Sequence, residues 1–347
     1  MAGVGVGYAS RTVQESLGES RPDPRGDVIR TDLEAYLQGT WKRPALRVTA
    51  VVPIPTGHSG FTYFIDTEEG ARRDRYVLRL PPPGARASGP ADVVRQGRIM
   101  AALNRGGLPV PAVPAITSEP VIDGRPLVLM AAVAGERIET AGPKHPGTAI
   151  AAAAITVLKR LHAVAPGETG IGDEPPVGLE AEMMRWHWLM ERAPEELTTR
   201  AHELGGLLAN QRPAERPPTL VHGDYHLGNM LFSGAEVVAV LDWEIAQIGQ
   251  PLLDLGCLCV MVQRRRFEGA PNPSGEGVEV SIAELAELYG VGAGEMNWYV
   301  AMSLYKYAAI LGYNLMLHRR GKRPDPMYEG LTTTIAGMID DGISLLS

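Results

Sequence analysis

Asp224, Asn229 and Asp242 fall within one stretch, Leu220 to Glu244, which reads LVHGDYHLGNMLFSGAEVVAVLDWE. Each sits in or beside a short apolar run (Leu220-Val221, Met230-Leu231-Phe232, Val237 to Leu241) of the kind that forms buried strands bounded by turns. A carboxylate is costly to bury unless it is paired or binds a cation. Two carboxylates among core strands therefore ask for a chemical reason. The spacing offers one: an amide five positions after the first acid (229 − 224 = 5) and a second acid thirteen further on (242 − 229 = 13). In phosphoryl transfer Asp224 would take a proton from a hydroxyl, while Asn229 and Asp242 hold Mg²⁺ on a nucleotide phosphate. The plainer reading is that Asp224 and Asp242 cap turns.

HGDYHLGN followed by LDWE resembles the aminoglycoside-phosphotransferase-like kinases. It is closest to the branch also found fused to acyl-CoA dehydrogenases. The resemblance covers about residues 30 to 340. It implies an α+β, protein-kinase-like two-lobed fold: a tail over 1–27, a small N-lobe with an antiparallel sheet over 28–130, and a larger, mainly helical C-lobe over 131–347. It also implies ATP or GTP as co-substrate, Mg²⁺ as cofactor, and a small-molecule hydroxyl acceptor of aminoglycoside, macrolide or hydroxyacyl type. By the same resemblance Asp254 accepts backbone N–H bonds from the catalytic loop, and the chain departs from the pattern with Gln250 where Asp is usual. His222 is expected to brace the loop's backbone. Glu244 is expected to assist a second metal or orient the first. His226 either touches substrate or is a solvated loop histidine.

The elements that must position these groups can be followed upstream. Leu46 to Ile54 alternates as a strand, Pro55 to Gly60 is a turn, and Phe61 to Ile65 resumes a strand. The small residues Gly57 and Ser59 would let backbone N–H groups approach phosphates; an ordinary hairpin is the other reading. Tyr76 to Leu80 reads as a strand carrying Arg79, which either grips phosphate oxygens in pairs or is a surface arginine on an edge strand. A helix is expected over Ala91 to Leu103. There the resemblance puts Gln96 in place of the usual Glu, so it could accept a hydrogen bond from Arg79 without neutralising it. Gly97 should cost that helix about 1 kcal/mol against Ala. This departure keeps a second function open, a catalytically impaired ligand-binding or scaffold protein. Met130 and Ala131 fall where the resemblance puts the hinge that reads a purine through its main chain; Met130 reads equally as core.

Downstream, Thr148 to Ala163 is an alanine-rich helix with His162 expected to hydrogen-bond in the core. Glu180 to Leu208 reads as one or two helices interrupted at Pro194. Its Glu180, Glu182, Glu191, Glu195, Glu196 and Glu203 form either an acidic, aromatic wall for an amine-bearing substrate or a solvated face of mixed charge. In the helix Glu295 to His318, Trp298, Tyr305 and Tyr313 should share a core face.

With 347 residues the chain is long enough for two lobes and a large core. Hydrophobic and charged contents of 45% and 21% are ordinary for a globular protein. A net charge of −7 gives no reason to expect nucleic acid or an anionic membrane as partner. Cys257 and Cys259 lack the further Cys or His of a zinc site and read as buried thiols. No run reaches a membrane span and no secretory signal opens the chain, so a cytoplasmic location is expected. The hydrolase and P-loop motifs G-x-S-x-G, H-E-x-x-H and G-x-x-x-x-G-K-[ST] are absent from the sequence.

Overall fold

Alternating apolar residues build a sheet in the first third of the chain, and longer apolar runs build helices in the rest. The computed structural model describes residues 26–54, 61–85, 92–263 and 278–347, and the chain divides into two units between Val133 and Ala134. The expected phosphate loop with Gly57 and Ser59, and residues 1–25 of the expected tail, lie outside the described residues.

The first unit contains α1 (Gly26–Trp41), β1 (Arg47–Pro53), β2 (Phe61–Glu69), β3 (Arg72–Leu80), α2 (Val93–Arg105), β4 (Ala115–Ile122) and β5 (Arg125–Ala131). The strands form one antiparallel sheet in the order β1-β2-β3-β5-β4. The β4–β5 turn places Asp123 and Gly124 at φ 49° and 69°, positive at both positions as two-residue hairpins demand. One face carries Tyr63, Ile65, Tyr76, Leu78, Leu80, Leu127 and Leu129, covered by Ile29, Leu33 and Leu37 of α1. That stripe, at i, i+4 and i+8, is the apolar face of an amphipathic helix. Arg79 lies opposite Val128 in the β3–β5 ladder, and cross-strand partners share a face. They lie on the other face of the sheet, where α2 packs.

The second unit is mainly helical. It contains α3 (Ile138–Ala141), α4 (Gly147–His162), α5 (Leu179–Met190), α6 (Glu195–Asn210), α7 (Leu252–Val262), α8 (Ile282–Tyr289), α9 (Met296–Arg319) and α10 (Thr332–Leu346). Two short ladders interrupt them. β6 (Thr219–Val221) pairs with β9 (Gln247–Gly249), and β7 (Met230–Ser233) pairs with β8 (Glu236–Val240). Pro194 separates α5 from α6 as expected, standing at the N-cap of α6. α9 is buried nearly all round, as a helix packed by neighbours on every side must be, and α5, α6, α7 and α10 pack on it. Trp298 and Tyr305 are core, but Tyr313 is only half-buried. Eight residues beyond Tyr305 turn the helix about 80° off the shared face. Among the described residues no helix is long and apolar enough to cross a membrane.

Candidate active site

The loop after β6 is bent at Gly223, whose φ is +83°. A Cβ there would stand 2.7 Å from the Ile245 carbonyl oxygen, so both conformation and space require glycine. Asp254 holds this bend. Fully buried at the first turn of α7, it accepts the Gly223 N–H at Oδ1 (2.8 Å) and the His222 N–H at Oδ2 (2.7 Å). His162 approaches Oδ2 at 3.2 Å through Nε2, and its Nδ1 meets the Tyr289 hydroxyl at 2.8 Å. His222 ties the loop to the far end of the hairpin. Its Nε2–H donates to the Leu241 carbonyl (2.8 Å), and its Nδ1 accepts the Asp224 N–H (3.2 Å). Burial holds the His222 imidazole below its usual pKa, against the pull of Asp254. The ring is therefore neutral, with its proton on Nε2.

Hairpin register brings Asn229 beside Asp242. Met230 pairs with Val240, and the Leu241 N–H donates to the Asn229 carbonyl at 2.8 Å. Asp242 follows directly, at φ +64°, a conformation a non-glycine residue adopts only where its surroundings impose it. Asn229 donates its side-chain N–H₂ to the Asp224 carbonyl (3.0 Å) and to Asp224 Oδ2 (3.2 Å), which orients its amide oxygen away from Asp224. An amide oxygen and a carboxylate are hard donors that suit Mg²⁺, which usually takes one or two protein ligands and completes its shell with phosphate and water. No cluster of three or more His, Cys, Asp or Glu that could hold a metal occurs among the described residues.

Asp224 is buried and gripped at both oxygens. The Tyr307 hydroxyl donates to Oδ1 at 2.7 Å, and Lys306 Nζ stands 3.9 Å from the same atom. Oδ2 takes Asn229 and lies 3.4 Å from His226 Nε2. His226 Nδ1 accepts the Gly228 N–H, so it is the Nε2–H that faces Asp224. Burial raises the carboxyl pKa, but His226, Lys306 and Tyr307 outweigh it and hold the group far below the ordinary range.

In the first unit Arg79 is half-buried on β3, and α2 carries Gln96, nearly fully buried. Gly97 has a packing reason that its helix propensity concealed. A Cβ there would meet Ile116 Cδ1 and Val128 Cγ2 at 2.7 Å, so glycine lets α2 sit close to the sheet at the strand position paired with Arg79. Met130 and Ala131 end β5 half-buried. The Ala131 N–H is used on the Ala112 carbonyl and the Ala132 N–H on the Arg75 carbonyl.

Of the two readings of the acids on and around α5 and α6, the pairing fits the face of mixed charge. Glu180 pairs with Arg212, Glu191 with His202, Glu196 with Arg319 and Glu203 with Arg200. Glu182 is buried and accepts Trp186 Nε1 (2.6 Å) and Gln247 Nε2 (2.8 Å). Gln250 both donates to and accepts from the Arg216 backbone, two bonds that a carboxylate could not make together. Glu244 is buried. Lys306 carried no signal in the sequence; it and Tyr307 lie in a uniformly buried helix.

The profile of the phosphotransferase enzyme family matches residues 50–288, more than half of the chain. Acyl-CoA dehydrogenase family member 10 of Mus musculus is 29% identical over 315 residues, covering 84% of this chain and 29% of the relative. Acyl-CoA dehydrogenase family member 11 of Gallus gallus is 28% identical over 327 residues, covering 86% and 40%. The chain thus spans less than half the length of these relatives. Among solved structures, an aminoglycoside-phosphotransferase-like protein of Ralstonia eutropha superposes with a TM-score of 0.72 at 23% identity, over 91% of this chain and 97% of the other. The GDP complex of aminoglycoside 2'-phosphotransferase-IIIa gives 0.61 at 14% identity, over 91% and 98%. At these identities the structural likeness is one of fold.

Proposed function

The chain belongs to the phosphotransferase enzyme family, and from that premise we propose that it moves the γ-phosphate of ATP or GTP to a hydroxyl of a small molecule. One observation carries the reading: Asp224 is held as a carboxylate at both oxygens, in a loop whose hairpin sets Asn229 beside Asp242. Asp224 orients the acceptor hydroxyl. Because its pKa is held low, it is a weak base and takes the proton late, which suits a loose transition state in which positioning and charge neutralisation supply most of the rate. Asn229 and Asp242 would hold Mg²⁺, which when bound offsets phosphate charge. Arg79 and the Gly57 to Gly60 loop, with Ser59, would hold the phosphates, and the main chain near Met130 and Ala131 the purine. His222 and Asp254 keep the loop in shape; Glu244 and Gln96 act through neighbouring groups.

The internal pairing of the α5–α6 acids supports an acceptor that is not a polyamine. Relatives named for acyl-CoA dehydrogenases make a hydroxyacyl compound the first acceptor to screen, ahead of macrolides and aminoglycosides. The test is consumption of γ-phosphate across those three classes, together with Asp224→Ala. That variant should lose ~10²-fold or more of turnover, the scale of a lost general base, while the Mg-nucleotide thermal shift persists. Unchanged turnover would overturn the assignment. Gln96 in place of a carboxylate supports the second reading, a binding protein without transfer, and nucleotide binding with no turnover on any acceptor would favour it.

A further inference from the structure

We propose that Lys306 and Tyr307, neighbours on α9, are positioning residues that fix the Asp224 carboxylate for transfer; the inference rests on the phosphotransfer reading of this loop. They hold two successive residues of the bend. Lys306 Nζ donates to the Gly223 carbonyl, immediately before the acid, and Tyr307 donates to Asp224 Oδ1 at 2.7 Å. Asn229 holds Oδ2 from the loop side. With one oxygen bound from α9 and the other from the loop, rotation of the carboxylate about its side-chain torsions is stopped. The other oxygen lone pairs remain for an acceptor hydroxyl.

The approach of α9 is built into α7. A Cβ at Gly256 would meet the Tyr299 carbonyl oxygen at 2.5 Å and Ser303 Oγ at 2.8 Å. Only glycine lets the two helices come this close, and one turn beyond Ser303 stand Lys306 and Tyr307. Lys306 is 4% exposed. It faces a small cavity behind the loop, shared with Glu182, Trp186, Gly223, Cys257 and Ser303. Its ammonium lies over the Tyr307 and Trp186 rings, 4.8 and 5.5 Å from their centroids, and 3.3 Å from Cys257 Sγ. Burial pushes the Cys257 thiol up, so it meets the lysine as a neutral, weak acceptor. The charge of Lys306 therefore finds its counter-charge in Asp224, 3.9 Å away. An apolar side chain would fill this packed site at less cost than a buried ammonium. A cation there is explained by the carboxylate and the loop carbonyl that it holds.

The experiment measures phosphate release from MgATP with water in place of an acceptor. Tyr307→Phe removes one hydrogen bond to a charged group and should lower kcat about 10-fold, with the KM for MgATP unchanged; the same lost bond should also lower the melting temperature by a few degrees. Lys306→Met should lower kcat at least as much, and Lys306→Arg should restore part of it. In an Asp224→Asn background Tyr307→Phe should cost little more, because groups acting through one another are not additive. Equal fractional losses in both backgrounds, or a raised KM at constant kcat, would overturn the positioning role and leave the phosphotransfer reading standing. A wild type that neither binds nor turns over MgATP would remove that reading and this inference with it.

Discussion

Asp254→Ala tests how the bend is held. The fully buried carboxylate accepts two backbone N–H groups, from His222 and Gly223, at 2.7 and 2.8 Å. A hydrogen bond to a charged group is worth about 1.5–3 kcal/mol, so the two together are worth about 3–6 kcal/mol. Removing the buried charge returns part of its desolvation cost. The net loss should then be about 3–4 kcal/mol, in line with the roughly 3–5 kcal/mol for deleting one partner of a buried charged pair. For a unit of roughly 200 residues each kcal/mol shifts Tm by about 2–4 °C, giving a drop of about 6–16 °C. Asp254→Asn keeps the shape but has only one acceptor oxygen, and turns its N–H₂ toward the second N–H. It should still lose about 2 kcal/mol. Urea unfolding at pH 7.5 reads both losses, with the slope checked for constancy. A loss below about 1 kcal/mol in Asp254→Ala would refute the view that these two bonds hold the loop.

Asp242→Gly should raise stability by about 1 kcal/mol by relieving a left-handed backbone, φ +64°. The same variant should lose the Mg²⁺-dependent part of the nucleotide thermal shift; a surviving shift would remove Asp242 as a ligand. His222 predicts a pH dependence. Its folded pKa is lowered, burial being the largest cause, so as pH falls below about 6.5 the unfolded chain binds the proton first. Stability should then fall with pH by up to about 1.4 kcal/mol per unit from this group. His222→Gln should flatten that slope in urea midpoints between pH 7 and 5, and an unchanged slope would refute the assignment. Gly97→Ala, which propensity alone would favour by about 1 kcal/mol, should instead cost about 1–3 kcal/mol through overpacking against Val128 and Ile116. A stabilised variant would show that α2 can retreat from the sheet.

Local spacing carried much of this protein, and the limits of local spacing explain what it missed. The strand pattern around Arg79 was legible because alternation with period two separates the face under α1 from the face under α2. Asn229 and Asp242 were legible as a pair because a hairpin converts sequence distance into a fixed register. Gly97 was read from half of its physics. Helix propensity counts the residue's own backbone, whereas its value lies in two methyl-bearing neighbours on another element. Lys306 could not have been found that way at all. α9 has no polar stripe to mark one side as special, and Tyr307 stands 83 positions from the carboxylate it holds. What joins them is the closeness of α7 and α9 at Gly256, a contact that no periodicity within either helix encodes. The charge at position 306 acquires meaning only through that approach. If the helices were forced apart at Gly256, the Lys306 ammonium would remain buried and charged with the Gly223 carbonyl and the Asp224 carboxylate moved out of its reach.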